Sequence, residues 1–472
     1  MNKLTSLAVA VIATSSMLSA AQAVTVTPTF GGYLRAGLDR QQHGKFKSWN
    51  VNKVGRLGNE SDIWAELALG ANISGATDAV FGVQTRLVYT NENGFDQEKT
   101  PKDDNFKNAY LDEVYATAKN VFSFSKEATI WAGKRYYHRE QTEIMDYKWY
   151  QIEGYGAGIE YIDVGPGKLS FAWFDRTDPD MYYTDQLKAN NKGYAKIIGD
   201  DGNKIHGEDW KSITTEIDTE KFDLEYALAP WDGAWLNLRS TLLVPQQDDN
   251  NYMKLVDKPN IRNGKIFAAS LGTSYGIGYC TTVAQYIAGP NTGDPFGNGN
   301  WIQVWSPENS NNAHRWQFLN YGDMKIGDFG LAHSMYYTAG TFAGTDGKKE
   351  SDKAFSFAVR PYYKLTDVTK IAAELGFFTQ SEKYKDGSNN VNYKGQKATL
   401  AYVLSPDAGD WKSRPELRFY VTYLHCNDAQ ALAGSPSQDK QVDIYTNTDD
   451  LTTSYAPRGN QVIVGAQMEA WW

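Results

Sequence analysis

The sequence predicts an all-β chain that crosses a membrane as a closed barrel of antiparallel strands. Three observations carry that expectation. From Phe30 to the C-terminus, short segments alternate apolar and polar residues and are separated by clusters of Gly, Asn, Asp and Ser. Beyond an N-terminal leader, no apolar run approaches the 18 or more residues of a membrane helix, and mean hydropathy is −0.53. A barrel hides well in such an average, because each strand shows lipid only at every second residue and long polar loops dilute the rest. The third observation is composition: 14% aromatic residues with 30 Tyr and 14 Trp, and 42 Gly against 15 Pro.

Taken from the N-terminus, Lys3 supplies a positive start, Leu4 to Ala13 are mostly small or apolar, and Ala21-Gln22-Ala23 has the small-x-small form of a signal-peptidase site. Residues 1–23 are therefore expected to be an export signal, and 24–472 one continuous barrel domain, since no linker, heptad region or repeat of fixed period divides them. In the first strand Tyr33, Arg35, Gly37 and Asp39 alternate with Leu34, Ala36 and Leu38. In the next, Trp64, Glu66, Ala68 and Gly70 alternate with Ile63, Ala65, Leu67, Leu69 and Ala71. Five polar stretches, 91–107, 175–211, 246–264, 289–313 and 427–459, read as loops longer than compact soluble domains tolerate. A barrel accommodates them on its outer side.

Near the C-terminus, Arg414, Glu416, Arg418, Tyr420 and Thr422 share one face, and Leu417, Phe419, Val421 and Tyr423 the other. The final segment is the clearest: Val462, Val464, Ala466, Met468, Ala470 and Trp472 suit lipid, while Gly465, Gln467, Glu469 and Trp471 suit a wet lumen. Aromatic residues recur on the polar face.

Several function classes are disfavoured. Acidic charge with interspersed Lys and Arg, net −9, argues against nucleic acid. His138-Arg139-Glu140 lacks a second histidine at metal-ligand spacing, no Gly-x-Ser-x-Gly elbow occurs, and the pairs Asp103-Asp104, Asp248-Asp249 and Asp449-Asp450 lie in loop-like sequence. No enzyme, metal site or cofactor is expected. Cys280 and Cys426 are open to pairing or to remaining as two buried thiols.

Six stretches stand out: Gly32-Tyr33-Leu34-Arg35, Arg56-Leu57-Gly58-Asn59-Glu60, Ile130-Trp131-Ala132-Gly133-Lys134-Arg135-Tyr136-Tyr137, Gly156-Ala157-Gly158-Ile159-Glu160, Ser413-Arg414-Pro415 and Gly465-Ala466-Gln467-Met468-Glu469-Ala470-Trp471-Trp472. Together they resemble the maltoporin family of carbohydrate-selective porins. They run in the family's order from the first strand to the last residue. The resemblance implies an 18-stranded antiparallel barrel in the outer membrane of a Gram-negative bacterium, assembled as a homotrimer, with the third extracellular loop folded inward as a constriction.

It also implies a sugar path. Sugar rings present an apolar face of C–H groups and a rim of hydroxyls, so a channel that guides them needs aromatic surfaces and fixed ionic groups. By motif matching, Tyr33, Trp64, Trp471 and Tyr279 occupy positions of an aromatic slide, with Phe95 and Trp411 as further members. Strict alternation from Arg414 would place Lys412 in the lumen, so Trp411 needs a bend near the turn. The polar track carries over to Arg35, Arg56, Glu66, Arg139 and Asp146. The inward loop departs from the family pattern: Gln141 and Gln151 stand where it carries acids, Lys148 where it carries a tyrosine, and an arginine usual near Tyr110 and Leu111 has no counterpart. The resemblance thus implies oligosaccharide substrates and leaves the sugar open.

The rival readings are a general diffusion porin without a slide, and a secreted carbohydrate-active β protein, which leaves the terminal lipid-facing strand unexplained. A secondary role for the long loops as a phage receptor is compatible with the sequence.

Overall fold

The computed structural model describes residues 24–42, 51–60, 62–91, 109–175, 219–246, 261–292, 299, 311–341, 349–384, 390–426 and 459–472. Within them the backbone forms 18 strands. These are β1 (Thr25–Gln41), β2 (Ile63–Ser74), β3 (Val80–Asn91), β4 (Ala109–Lys119), β5 (Thr129–Thr142), β6 (Tyr147–Val164), β7 (Gly167–Asp175), β8 (Thr219–Leu228) and β9 (Ala234–Pro245). They continue as β10 (Gly264–Ser274), β11 (Gly278–Ala288), β12 (His314–Ile326), β13 (Phe329–Thr341), β14 (Lys349–Lys364), β15 (Thr369–Tyr384), β16 (Val391–Leu404), β17 (Glu416–Cys426) and β18 (Gly459–Trp471). One helical turn, α1 (Val51–Val54), lies between β1 and β2.

Each strand pairs antiparallel with its sequence neighbours, and β18 returns to pair with β1. Closure leaves no edge, which a bilayer requires because lipid satisfies no backbone N–H or C=O. The alternation read from the sequence sorts the two faces. Along β17, Glu416, Arg418, Tyr420 and Thr422 are buried while Leu417, Phe419 and Val421 are half exposed or nearly so. Polar residues inside and apolar residues outside invert the pattern of a soluble protein.

The lumen is narrowed from two sides. β5 pairs with β4 only over Thr129–Lys134, and β6 pairs with β7 only from Tyr155 onward. Yet β5 and β6 stay paired as far as Thr142 opposite Tyr147. Their distal halves therefore leave the wall together as a two-stranded arm. The pivots are glycines: Gly133 (φ 131°) and Gly154 (φ 137°) hold conformations closed to L side chains, and a Cβ on Gly133 would stand 2.3 Å from the Val114 carbonyl oxygen.

The arm crosses to the far wall. Tyr150 Oη donates to Asp223 at 2.5 Å and meets Thr241 Oγ1 at 2.6 Å, Arg239 reaches Glu140 at 2.7 Å, and Tyr147 Oη donates to Gln317 on β12 at 3.2 Å. This is the inward third loop that the resemblance implies.

The second constriction was not legible beforehand. Residues 51–60, including α1, lie against β15, β16 and β17. Lys397 Nζ donates to the carbonyls of Gly55 and Leu57, each at 2.8 Å, Thr399 donates to Leu57 at 3.0 Å, and Thr422 donates to Gly58 at 2.9 Å. Glu374 accepts from Leu57 N at 2.9 Å.

Of the five expected loops, 91–107, 175–211, 246–264 and 427–459 fall almost wholly outside the described residues, and 289–313 falls largely outside them. No disulfide joins the two cysteines, Cys280 being half-buried on β11 and Cys426 buried on β17.

Candidate functional site

The closing seam sets the site's wall. Register places Tyr33 opposite Trp471 on one side and Glu66 on the other, and Arg35 opposite Glu469 and Trp64. All six lie on the inward face, since a period of two keeps residues 33 and 35, 64 and 66, 469 and 471 on one side of the sheet. The Tyr33 and Trp471 rings stand 6.4 Å apart, 12° from parallel. Arg414 lies over the Trp471 ring at 3.7 Å, a stacked guanidinium that fixes the indole against the wall.

Ionic groups hold these rings in place. Arg56 donates to the Tyr33 hydroxyl at 2.8 Å, and Tyr33 donates onward to Glu469 at 2.9 Å. Glu469 also accepts from Arg56 and Arg414, each at 2.9 Å, and from Arg418. On β2, Trp64 Nε1 donates to Glu66 at 2.9 Å, while Arg86 reaches the other oxygen of Glu66 at 2.5 Å. The Tyr33 hydroxyl and the Trp64 indole N–H are thereby tied down at the edges of their rings.

The arm and the 51–60 segment close the space in front of this wall. Tyr33, Arg35, Arg56, Trp64, Glu66, Arg139, Gln141, Asp146 and Lys148 line one cavity of about 240 Å³. That lies below the ~300–1,000 Å³ of closed ligand pockets, as befits a waist in a passage. Arg35 pairs with Glu60 at 2.8 Å and Asp62 at 2.6 Å, and Arg139 faces Glu66 at 3.6 Å. Burial alone would push the Asp146 carboxyl up, but Arg56, Lys148, Arg35 and Arg139 outweigh it and hold the group below its ordinary range. Both signs of charge therefore line the waist, offering donors and acceptors together.

Five sequence candidates stand elsewhere or beyond description. Gln151 turns to Glu153 on its own strand, 2.5 Å away, and does not line the cavity. Tyr279 sits at the far wall beside the 275–277 turn, with Lys412 Nζ 4.8 Å above its ring. Trp411 lies in the irregular 405–415 connection and is only 7% exposed, so its ring offers little open surface. Lys412 is the more open of the two and reaches Glu143 at the arm's tip, 3.4 Å away. Trp471 adjoins Tyr33 without lining the cavity itself. Phe95 lies outside the described residues.

Motif matching does not mark Glu60 and Glu469 as site residues, although both stand in the motifs quoted above. Glu469 gathers Tyr33, Arg56, Arg414 and Arg418, and Glu60 joins Arg35 to Arg56 at 3.1 Å. Alternation alone put Glu469 in the lumen, but what it binds there comes from three other segments.

Comparison with known proteins bears on this site. The family model described as LamB porin matches residues 29–472. Maltoporin 1 of Klebsiella pneumoniae is 31% identical over 99% of this chain and 97% of its own length. Maltoporin 2 of Yersinia pseudotuberculosis is 30% identical over 94% of this chain and 93% of its own. Among solved structures, OccAB2 of Acinetobacter baumannii covers 94% of this chain and 98% of that one at a TM-score of 0.46 and 12% identity. An 18-stranded closed barrel, a family match over nearly the whole chain and full-length relatives agree: the chain belongs to the LamB porin family and is a multi-pass β-barrel of the outer membrane.

Proposed function

We propose that this porin carries oligosaccharides by facilitated diffusion, along an aromatic slide flanked by ionic groups, and that it works as a homotrimer. The observation that carries the reading is the meeting of Tyr33 and Trp64 with Arg35, Arg56, Glu66, Arg139 and Asp146 around one cavity. The aromatic faces suit the C–H side of a sugar ring. The ionic groups suit its hydroxyls, replacing hydration with charge-assisted hydrogen bonds that both donate and accept. Passage then requires no energy source, because a row of weak sites lowers the barrier without a deep well: a solute must bind well enough to enter and weakly enough to leave. No chemical step is asked of any residue.

The relatives named maltoporin support sugars as the class and make linear α-glucan oligosaccharides the first probes. Lys148 and Gln141 at the waist argue for a wide panel beyond them. The test is ion current through the reconstituted channel, titrated with α-glucan and β-glucan oligosaccharides, sucrose and raffinose. Saturable, reversible block by at least one is the expected result. Unchanged current at high concentrations of all of them would leave a general diffusion pore.

A further inference from the structure

We propose that Trp235 extends the aromatic slide beyond Tyr279, forming with that residue and Lys412 a sugar-ring contact at the short-turn end of the lumen. The inference rests on the carbohydrate reading above and adds to it a residue outside the slide motifs.

Trp235 is the second residue of β9. Arg239 and Thr241 on the same strand point inward, since both meet the arm, through Glu140 and Tyr150 respectively. Residues 235 and 237 share their face, while Leu238 is 43% exposed on the lipid side. Trp235 is half-buried, so its ring is not sealed in packing.

The ring lies flat because its neighbour is a glycine. Gly272 is the cross-strand partner of Trp235. A Cβ there would stand 2.0, 2.1 and 2.3 Å from Cε2, Cζ2 and Nε1 of the indole. Near-equal approach to three consecutive ring atoms is contact with the face of the ring, not its edge. One face thus rests on the backbone of β10, and the opposite face is presented to the lumen.

Tyr279, two strands away, supplies a side wall, its centroid 6.4 Å from that of Trp235 and its plane tilted by 43°. Lys412 Nζ sits 4.8 Å from the Tyr279 centroid and 3.4 Å from Glu143 Oε1. An ammonium and a carboxylate therefore stand beside the Tyr279 ring, the same pairing of surfaces found at the waist. Trp235 and Tyr279 follow the 229–233 and 275–277 turns, and Lys412 lies in the 405–415 connection, so all three belong to the short-turn end. The chemical class that fits is a pyranose ring at the leading end of an oligosaccharide whose trailing rings still occupy the waist.

The experiment is current block of the reconstituted full-length channel by maltotriose and maltoheptaose, comparing wild type, Trp64→Ala, Trp235→Leu and Trp235→Phe. Heat-modifiable gel mobility reports that each variant is folded. Leucine keeps apolar bulk and removes the aromatic face, so Trp235→Leu should weaken maltoheptaose block roughly two- to tenfold, the size of one aromatic contact, and maltotriose block less. Trp235→Phe should restore most of the loss. Wild-type block that Trp64→Ala weakens and Trp235→Leu leaves untouched would overturn the subsite while sparing the slide. Equal losses for both sugars with no rescue by phenylalanine would mark Trp235 as packing, and also overturn it. A wild-type channel blocked by neither probe would overturn this subsite for α-glucan chains, and block by none of the wider panel would remove the carbohydrate reading as well.

Discussion

Tyr33 and Trp471 face each other across the seam that closes the barrel, their rings 6.4 Å apart and 12° from parallel. The two ends of the chain thus build one aromatic platform. The strand pairing that seals the sheet also aligns the surface on which a sugar would slide. Glu469 ties the platform to the 51–60 segment through Arg56, so wall and constriction share one ionic network.

Removing single slide residues should weaken binding without destroying the pore. Trp64→Ala and Trp471→Ala are each expected to lower oligosaccharide affinity by roughly two- to tenfold, since an aromatic contact contributes about 0.5–1.5 kcal/mol beyond area burial. Titrated current block reads this directly, and single-channel conductance of the same samples reports whether the barrel is intact.

The inward segment 51–60 should depend on one buried lysine. Lys397 and Glu374 are both fully buried, and their ion pair, together with the carbonyls of Gly55 and Leu57, anchors the segment. Lys397→Met strands the Glu374 charge, at a cost of about 3–5 kcal/mol. Glu374 would keep Arg360 as a partner, 2.6 Å away, so the loss should fall toward the lower end. The expected readouts are a lower unfolding temperature of the native species on gels and a higher open-channel conductance. Lys397→Met with Glu374→Gln should cost more stability than Lys397→Met alone, because it leaves the buried Arg360 without its carboxylate, and should keep the wider pore.

The arm's grip on the far wall should hang on the Tyr150 hydroxyl. Tyr150→Phe removes its bonds to Asp223 and Thr241. Leaving the buried Asp223 carboxylate with one donor fewer costs about 1–3 kcal/mol. Thr241 still donates to Asp223 at 2.8 Å, so the arm should loosen without the strand unfolding. Increased current noise with unchanged heat-modifiability is the expected pairing.

Asp146 gives the waist a definite pH behaviour. Its carboxyl is held below the ordinary range although burial opposes this, because Arg56, Lys148, Arg35 and Arg139 surround it. A depressed folded-state value means its charge, and the stability that charge contributes, is fully present above the ordinary carboxylate pKa and lost only as pH falls through the depressed one. Between neutral pH and pH ~5, a range above the ordinary Asp value, any change in sugar block should therefore be the same in wild type and in Asp146→Asn. A block that falls in wild type alone over that range would contradict the assignment.

Much of the barrel was legible in the sequence because alternation is a local property. Residues 462–472 and 416–423 declare both faces within one strand, and the lumen placement of Tyr33, Trp64 and Trp471 follows from it. The arm was less legible, because β5 and β6 keep pairing with each other after leaving β4 and β7, so nothing in their own pattern marks the departure except Gly133 and Gly154. The 51–60 segment was not legible, since its anchors on Lys397, Thr399 and Thr422 lie more than 300 residues away. Trp411 came from motif matching, whereas counting from Arg414 gives the lumen to Lys412, and it is Lys412 that reaches the arm. Trp235 was legible only as one side of its strand, because the contact that lays its ring flat, at Gly272, lies on the next strand.

The most direct test of the slide is the dissociation constant of a blocking oligosaccharide in wild type and in Tyr33→Leu/Trp64→Leu, measured in parallel with ion conductance. Both positions line the waist, and leucine keeps apolar bulk while removing the aromatic faces. The account predicts that block by the sugar weakens by more than either single change alone produces, while the channel still conducts ions. Equal affinity in wild type and the double variant would contradict it.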